Sequence, residues 1–196
     1  MTTATGEART EDRARGVALD ALAAVLGRPP ARLDAAFDAR AAATGLEGRD
    51  RAFARLLVTT VLRRKGQLDA LLRRYLRYWP DSAIAQNLLR LGAAQILLLD
   101  TPAHAAVATS VALAKARRRP EGGLVNAVLR KLATERPPLP GVEKALPGWL
   151  WKRWCKAYGE ATARPIVAAQ LEEPPLDLTV AADRARWADT LGGTPL

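Results

Sequence analysis

The hydrophobic residues of this chain recur at helical spacing from residue 14 onward. Between Ala14 and Val25 the apolar positions lie three or four residues apart, which is the spacing of one face of an α-helix. Further runs with this period lie at residues 33–41, 53–61, 68–76, 84–98, 107–114 and 122–132. Glycine and proline breaks separate the runs, and no strand-like alternation occurs before residue 137. The pattern predicts an all-α bundle of about seven helices over residues 10–136, after a flexible N-terminus at residues 1–9.

Capping and breaking residues set the predicted helix boundaries. Thr10 is placed to cap the first helix, and Asp81 or Ser82 is placed to cap the helix that follows Pro80. Gly66 falls inside an apolar run, where glycine weakens a helix. We therefore expect Gly66 to interrupt this run and divide it into two helices.

The character of the chain changes after residue 136. A proline-rich linker and a helical extension are predicted over residues 137–172, and the extension carries tryptophans among basic residues. Leu176–Val180 alternates and ends in β-branched residues, so it is predicted to be a strand, and a short helix is predicted over Arg184–Leu191. Because a single strand needs a partner, residues 173–196 are expected to begin a truncated α/β domain.

The charge balance indicates a polyanionic partner. Lysine and arginine number 30 against 20 aspartate and glutamate residues, and hydrophobic residues make up 49% of the chain. Nucleic acid is the first candidate and an anionic membrane surface the second, while an arginine-rich compositional bias is the alternative. A single cysteine and the lack of an apolar leader or spanning segment predict a cytoplasmic protein that is not membrane-bound.

Few residues offer catalytic chemistry. His104 is the only histidine and Cys155 the only cysteine, so neither has a like partner for a metal site or a disulfide. Phosphate-binding and nucleophile-elbow motifs are absent. We therefore predict no catalytic residue, no metal site and no cofactor site within this sequence.

The basic residues are clustered, and several clusters include aromatic residues. Arg73, Arg74 and Arg77 are interleaved with Tyr75, Tyr78 and Trp79. Guanidinium groups beside aromatic rings suit single-stranded RNA, because its phosphates attract cations and its bases stack on rings. Any one cluster could instead be an ordinary solvated helix face.

Several spaced blocks resemble a known family. TPAHAAV at 101–107, VALAK at 111–115 and GLVNAVLR at 123–130 resemble the signature of the NusB-like RNA-binding domain, as do Leu68-Asp69 and Arg90-Leu91-Gly92. The extension, with LPGWL at 146–150 and PPLDLTV at 174–180, is more similar to the N-terminal part of the ribosomal-RNA small-subunit methyltransferase B family. The resemblance covers approximately residues 10–190.

This resemblance implies an RNA-binding role beside an enzyme. Members of that family methylate C5 of a cytosine in 16S rRNA, with a cysteine nucleophile and S-adenosylmethionine in a separate domain. Cys155 lacks the family's Pro-Cys context, so the chain is expected to bind 16S rRNA for its own downstream methyltransferase domain and to be inactive alone. A free-standing NusB-type transcription antitermination factor is the alternative. Ala108 and Thr109 replace the usual Asn-Glu pair, which makes contact with a ribosomal protein doubtful.

The resemblance and the basic clusters together define a predicted RNA-binding set. Arg13 and Arg15 match the basic start of the first helix, Tyr75 matches the family's aromatic position, and Arg90 matches a basic position on a later helix. The complete set is Arg9, Arg13, Arg15, Arg73, Arg74, Tyr75, Arg90, Arg117, Arg118, Arg119, Arg130 and Lys131.

Asn126 is an amide within an apolar helical run. A buried amide must be hydrogen-bonded to be tolerated. We therefore predict that Asn126 is a buried structural cross-link to backbone near residues 102–104. The neighbouring Leu124, Val125, Val128 and Leu129 are predicted to lie in the core.

Overall fold

A computed structural model describes residues 3–99, 101–118, 120–174 and 177–194, and the side chains from residue 13 onward. The described residues form helices and no strand, which confirms the all-α prediction. The helices are α1 (Thr3–Val25), α2 (Leu33–Ala43), α3 (Gly48–Leu72), α4 (Ala83–Leu98), α5 (Ala103–Ala116), α6 (Gly122–Glu135), α7 (Gly148–Tyr158), α8 (Glu160–Leu171) and α9 (Arg184–Leu191). Two 3-10 turns lie at Arg73–Tyr75 and Val142–Lys144.

Helix α4 is the centre of the bundle. Every residue from Asn87 to Ile96 is buried, because α1, α3, α5 and α6 all pack around this helix. Of the two predicted caps, Ser82 is the one that caps its N-terminus, since the hydroxyl accepts a hydrogen bond of 3.2 Å from the amide of Ala85. A Cβ on Gly92 would lie 2.3 Å from a methyl carbon of Leu129, so glycine lets α6 approach α4 closely.

Helix α3 is continuous through Gly66, and the prediction that this glycine interrupts the helix is wrong. A Cβ at this position would lie 2.1 Å from the carbonyl oxygen of Lys144 and 2.8 Å from that of Ala145. Glycine is therefore required where the backbone after α6 crosses α3, and the helix tolerates it because tertiary packing outweighs propensity. The bundle has six α-helices up to Glu135 instead of about seven.

The proline-rich segment after α6 lies against the bundle. The side-chain amide of Gln67 donates a 2.6 Å hydrogen bond to the carbonyl of Pro140. The guanidinium of Arg64 donates a 3.1 Å bond to the carbonyl of Leu171, at the end of α8. These two contacts and the crossing at Gly66 hold the extension of α7 and α8 against α3.

The predicted strand is wrong for the residues that can be described. Residues 177–180 are irregular, since no described segment pairs with them, while Pro175 and Leu176 lie outside the described residues. Helix α9 has the predicted bounds and is capped by Asp183, whose carboxylate accepts a 3.3 Å hydrogen bond from the amide of Arg186. At the other end of the chain, α1 begins at Thr3 and not at Thr10.

Asn126 is not the buried cross-link that its position predicts. Its side chain is half-buried and makes no hydrogen bond within the described part of the chain. The buried stripe of α6 is formed by Val125, Val128, Leu129 and Leu132, at helical spacing, and Asn126 lies one position off this stripe. Leu124, also predicted to be core, is 38% exposed.

Within the described ranges, no helix is both long and apolar enough to cross a membrane.

Candidate RNA-binding surface

The 3-10 turn after α3 and the last turns of α6 form one basic surface. The hydroxyl of Tyr75 donates a 2.7 Å hydrogen bond to the carboxylate of Glu135, and the ammonium of Lys131 lies 5.6 Å from the centre of the Tyr75 ring. Arg74 and Arg130 are exposed on the same two segments. We call Arg73, Arg74, Tyr75, Arg130 and Lys131 the Tyr75 surface. The fold thus brings Tyr75 and Lys131, which are far apart in the sequence, into contact, and Arg130 is the residue before Lys131 on α6.

Aromatic residues continue this surface along the loop that follows the turn. The guanidinium carbon of Arg73 lies 4.4 Å from the centre of the Trp79 ring, and that of Arg77 lies 5.2 Å from the centre of the Tyr78 ring. Tyr78 is 74% exposed, so its ring is available to stack on a base. Arg77, Tyr78 and Trp79 extend the surface beyond the predicted RNA-binding set.

Arg90 is a correction to the predicted set, because it is only 5% exposed. Its guanidinium donates two hydrogen bonds to the carboxylate of Asp69, at 2.7 and 3.0 Å, and one of 2.7 Å to the side-chain carbonyl of Asn87. It also lies 5.5 Å from the centre of the Trp79 ring. Arg90 therefore supports the Tyr75 surface from beneath and cannot contact RNA directly.

Arg15 is a second correction. It is 3% exposed, donates a 2.7 Å hydrogen bond to the side-chain carbonyl of Gln95, and stacks 5.2 Å from the Phe53 ring. Arg13, two residues earlier, is exposed. The side chain of Arg9 lies outside the described residues. Sequence reasoning could not separate Arg13 from Arg15, because both lie at helical spacing from apolar residues of α1.

Arg117 and Arg118 lie together at the end of α5. Arg117 makes a 2.7 Å ion pair with Asp20 on α1, which neutralises much of its charge. Arg118 is exposed, and Arg119 lies outside the described residues. Gly122, at the start of α6 beside this group, is roughly 13 Å along the helix axis from Lys131. The described predicted cations of α5, of α6 and of the turn after α3 therefore form two groups, which are Arg117 with Arg118 and the Tyr75 surface.

Charge pairing distinguishes this surface from the depression between α2 and α3. Around the depression between α2 and α3, Arg51 and Arg55 pair with Asp38 and Asp34. Arg74 and Arg130, by contrast, make no ion pair with any described residue. Lys131 approaches Glu135 only to 3.9 Å, with both side chains well exposed, so that pairing is weak. Positive charge is therefore available to an anion at the Tyr75 surface.

Tyr75 itself is held as a neutral hydrogen-bond donor. Partial burial and the hydrogen bond to Glu135 raise the pKa of Tyr75 above its ordinary value, while Arg74 acts in the opposite direction. The hydroxyl thus remains protonated at neutral pH and keeps the turn attached to α6.

Asp69, which the sequence comparison placed in a matched block without a role, and Asn87, which it did not single out, both hold Arg90 in place. Both lie within apolar helical runs, where an uncompensated polar group would be costly. Asp69 and Arg90 each lie in one of the two matched blocks. An acidic residue and an arginine at such apolar positions indicate a buried ion pair.

The described residues do not fit S-adenosylmethionine. Nucleotide-like cofactors of that kind bind at the carboxyl ends of parallel strands beside a glycine-rich turn. No strand occurs in the described ranges, and Gly122-Gly123 instead begin α6. We assign no methyl-transfer step to these residues.

Comparison with known proteins agrees with this architecture. Residues 12–134 match the NusB family. The chain is 35% identical over 144 residues to ribosomal RNA small subunit methyltransferase B of Xanthomonas campestris, which covers 72% of this chain and 33% of that protein. It is 42% identical over 114 residues to the protein of that name from Thermus thermophilus, covering 57% of this chain and 28% of that protein.

A third relative of that name, from Escherichia coli, is 34% identical over 151 residues, covering 71% of this chain and 35% of its own length. The chain thus spans about a third of the length of the curated relatives it matches. The family match extends from α1 to α6 and includes both segments that form the Tyr75 surface. This chain belongs to the NusB family.

Proposed function

We propose that this region binds ribosomal RNA through the Tyr75 surface and positions it for methylation by a separate catalytic domain. The observation that carries the proposal is the grouping of unpaired, exposed cations with accessible aromatic rings across two distant segments. The relatives named as rRNA small subunit methyltransferases supply the substrate class.

The surface has the chemistry that single-stranded RNA requires. Arg74, Arg130 and Lys131 provide charge for phosphates, and binding there would release condensed counterions. Tyr78 offers a ring face on which a base can stack without sequence preference. This combination favours the single-stranded parts of an rRNA over a uniform duplex.

The proposal places the catalytic step in a separate domain, outside the residues described here. Members of the ribosomal-RNA small-subunit methyltransferase B family, which the sequence resembles, transfer a methyl group from S-adenosylmethionine to C5 of a cytosine in 16S rRNA, and we place this step in the cytoplasm. The residues described here would bind and orient the RNA. Cys155 is half-buried and carries no nucleophilic role in this proposal.

The antitermination alternative receives less support. The hydroxyl of Thr109, where the usual Asn-Glu pair is replaced, donates a 2.8 Å hydrogen bond to the carbonyl of Ala105 on its own helix. Its donor is therefore used within α5. The curated relatives also carry the methyltransferase name.

Charge reversal tests the proposed surface. Arg74→Glu with Arg130→Glu should weaken binding to 16S rRNA fragments at least about tenfold and lower the magnitude of the salt dependence, because two phosphate contacts are lost. Both side chains are exposed and unpaired within the described structure, so the fold should be retained. Fluorescence anisotropy across a salt series measures both effects.

The matched control is Arg32→Glu with Arg40→Glu on the α2 side, which changes the net charge equally. An equal loss of affinity in both double variants would show that only total charge matters, and the Tyr75 surface would then be the wrong site.

A further inference from the structure

Helix α7 presents a stripe of three cations and one tryptophan on a single face. Trp149, Lys152, Arg153 and Lys156 follow the i, i+3, i+4, i+7 spacing of one helix side, within about two turns. All four side chains are exposed, and Trp149 is 66% exposed. We call these four residues the α7 stripe. None of them belongs to the predicted RNA-binding set or to the Tyr75 surface.

The charge of the α7 stripe is not neutralised locally. Helix α7 contains no acidic residue. Lys152, Arg153 and Lys156 make no ion pair with any part of the chain that the structure describes. Two acidic groups of the extension, Glu143 and Glu160, are instead bound by Arg164, at 3.2 and 2.7 Å.

The opposite side of α7 fixes its orientation. Leu150, Trp151 and Trp154 are half-buried, and α7 packs on α8 and on the Val142–Lys144 turn. The guanidinium of Arg164 on α8 stacks 5.6 Å from the centre of the Trp151 ring. Because the extension is in turn attached to α3 at Gly66 and Gln67, the α7 stripe is held in a defined direction relative to the bundle.

From this arrangement we infer that the α7 stripe is a second contact surface for single-stranded RNA. Its three cations bind successive phosphates, and Trp149 stacks on an unpaired base. This inference rests on the proposed rRNA-binding function and extends it beyond the six-helix bundle. It assigns the extension a role in binding the RNA as well as in connecting domains.

RNA fits this face better than a membrane does. A helix that lies on a bilayer inserts a broad apolar face between lipid headgroups. In α7 the apolar residues Leu150, Trp151 and Trp154 are turned toward the extension, and the exposed stripe offers one ring among three cations. That ratio suits a polyanion whose bases have stacking faces.

Two variants of the whole chain separate charge from stacking. Lys152→Gln, Arg153→Gln and Lys156→Gln together should weaken binding to a labelled oligouridine RNA at least about tenfold and reduce the magnitude of the log–log salt slope by about 2. Trp149→Ala should weaken binding about fivefold or more and leave the slope unchanged. Circular dichroism should show unchanged helix content, because all four residues are exposed.

Matched controls are available in the same chain. Arg32→Gln, Arg40→Gln and Arg49→Gln remove the same charge from exposed positions near α2. Tyr158→Ala removes an exposed ring from α7, nine residues from Trp149 and on the opposite helix face. The triple arginine control should lower RNA affinity less than the α7 triple variant does. Tyr158→Ala should lower it less than Trp149→Ala does.

The outcomes distinguish this inference from the proposed function. If the Tyr75-surface double variant loses affinity and the α7 variants match their controls, the inference fails alone. If only the α7 variants lose affinity, the inference stands and the Tyr75 surface fails. Absence of RNA binding by the unaltered chain overturns both, and α7 variants that lose binding only to phosphatidylserine vesicles show a membrane site instead.

Discussion

At the scale of single residues, burial decides which arginines are available for RNA. Arg13 and Arg15 are indistinguishable by sequence, yet one is exposed and the other is hydrogen-bonded to Gln95 in the core. Arg90 is likewise drawn inward by Asp69. Sequence could identify that these positions carry charge, but the partner that buries each one comes from a different helix.

The Asp69–Arg90 pair should be a strong local determinant of stability. Asp69→Ala leaves a guanidinium that is only 6% exposed without its carboxylate partner, and breaking such a buried pair costs about 3–5 kcal/mol. Urea unfolding of the variant measures this loss. Asp38→Ala is the control, because its pair with Arg51 is well exposed and should contribute less than about 1 kcal/mol. Similar losses in the two variants would contradict the structural role of Arg90.

Tyr75 should give the chain a specific dependence on alkaline pH. Its pKa is raised by burial and by the hydrogen bond to Glu135, so the folded state favours the protonated hydroxyl. The resulting stabilisation is complete below the ordinary tyrosine pKa of about 10 and is lost as the pH rises through the raised value. In an ultraviolet titration of tyrosine ionisation, Tyr75→Phe should remove the last phase. Loss of an earlier phase would refute this assignment.

At the scale of elements, helix periodicity was sufficient for most of the bundle but not for its exceptions. The buried stripe of α6 and the bounds of α9 follow from local spacing and capping residues. The continuity of α3 through Gly66 does not follow from local spacing, because it depends on the backbone of residues 144–145 that crosses the helix. The irregular backbone of residues 177–180 does not follow either, because it reflects the lack of a pairing segment among the described residues. Such tertiary causes leave no periodic signal.

Two glycine-to-alanine substitutions in long helices should change the free energy of unfolding in opposite directions. Gly66→Ala gains helix propensity but forces a methyl group against two backbone carbonyls, so it should destabilise the protein by about 1–3 kcal/mol. Gly16→Ala meets only Leu113, at 3.8 Å, and should stabilise the protein by about 0.5–1 kcal/mol. Thermal unfolding of both variants measures the difference. Stabilisation by Gly66→Ala would mean that the extension does not press on α3.

At the scale of the whole molecule, the net charge of +10 matters less than where it remains unpaired. Arg51 and Arg55 are paired near α2, whereas Arg74 and Arg130 have no ionic partner among the described residues. Composition indicated a polyanionic partner, and the grouping of basic and aromatic residues indicated RNA. The separation into two groups could not be predicted, because it depends on how α5 and α6 are placed relative to the turn after α3.

Photocrosslinking of the chain to 16S rRNA, followed by mass-spectrometric mapping of the crosslinked peptides, tests the central claim most directly. Aromatic rings stacked on bases should give crosslinks at Tyr75 and Tyr78, and these should fall sharply in the Arg74→Glu, Arg130→Glu variant. Crosslinks confined to α2 and the start of α3, with none from residues 73–79, would contradict the account.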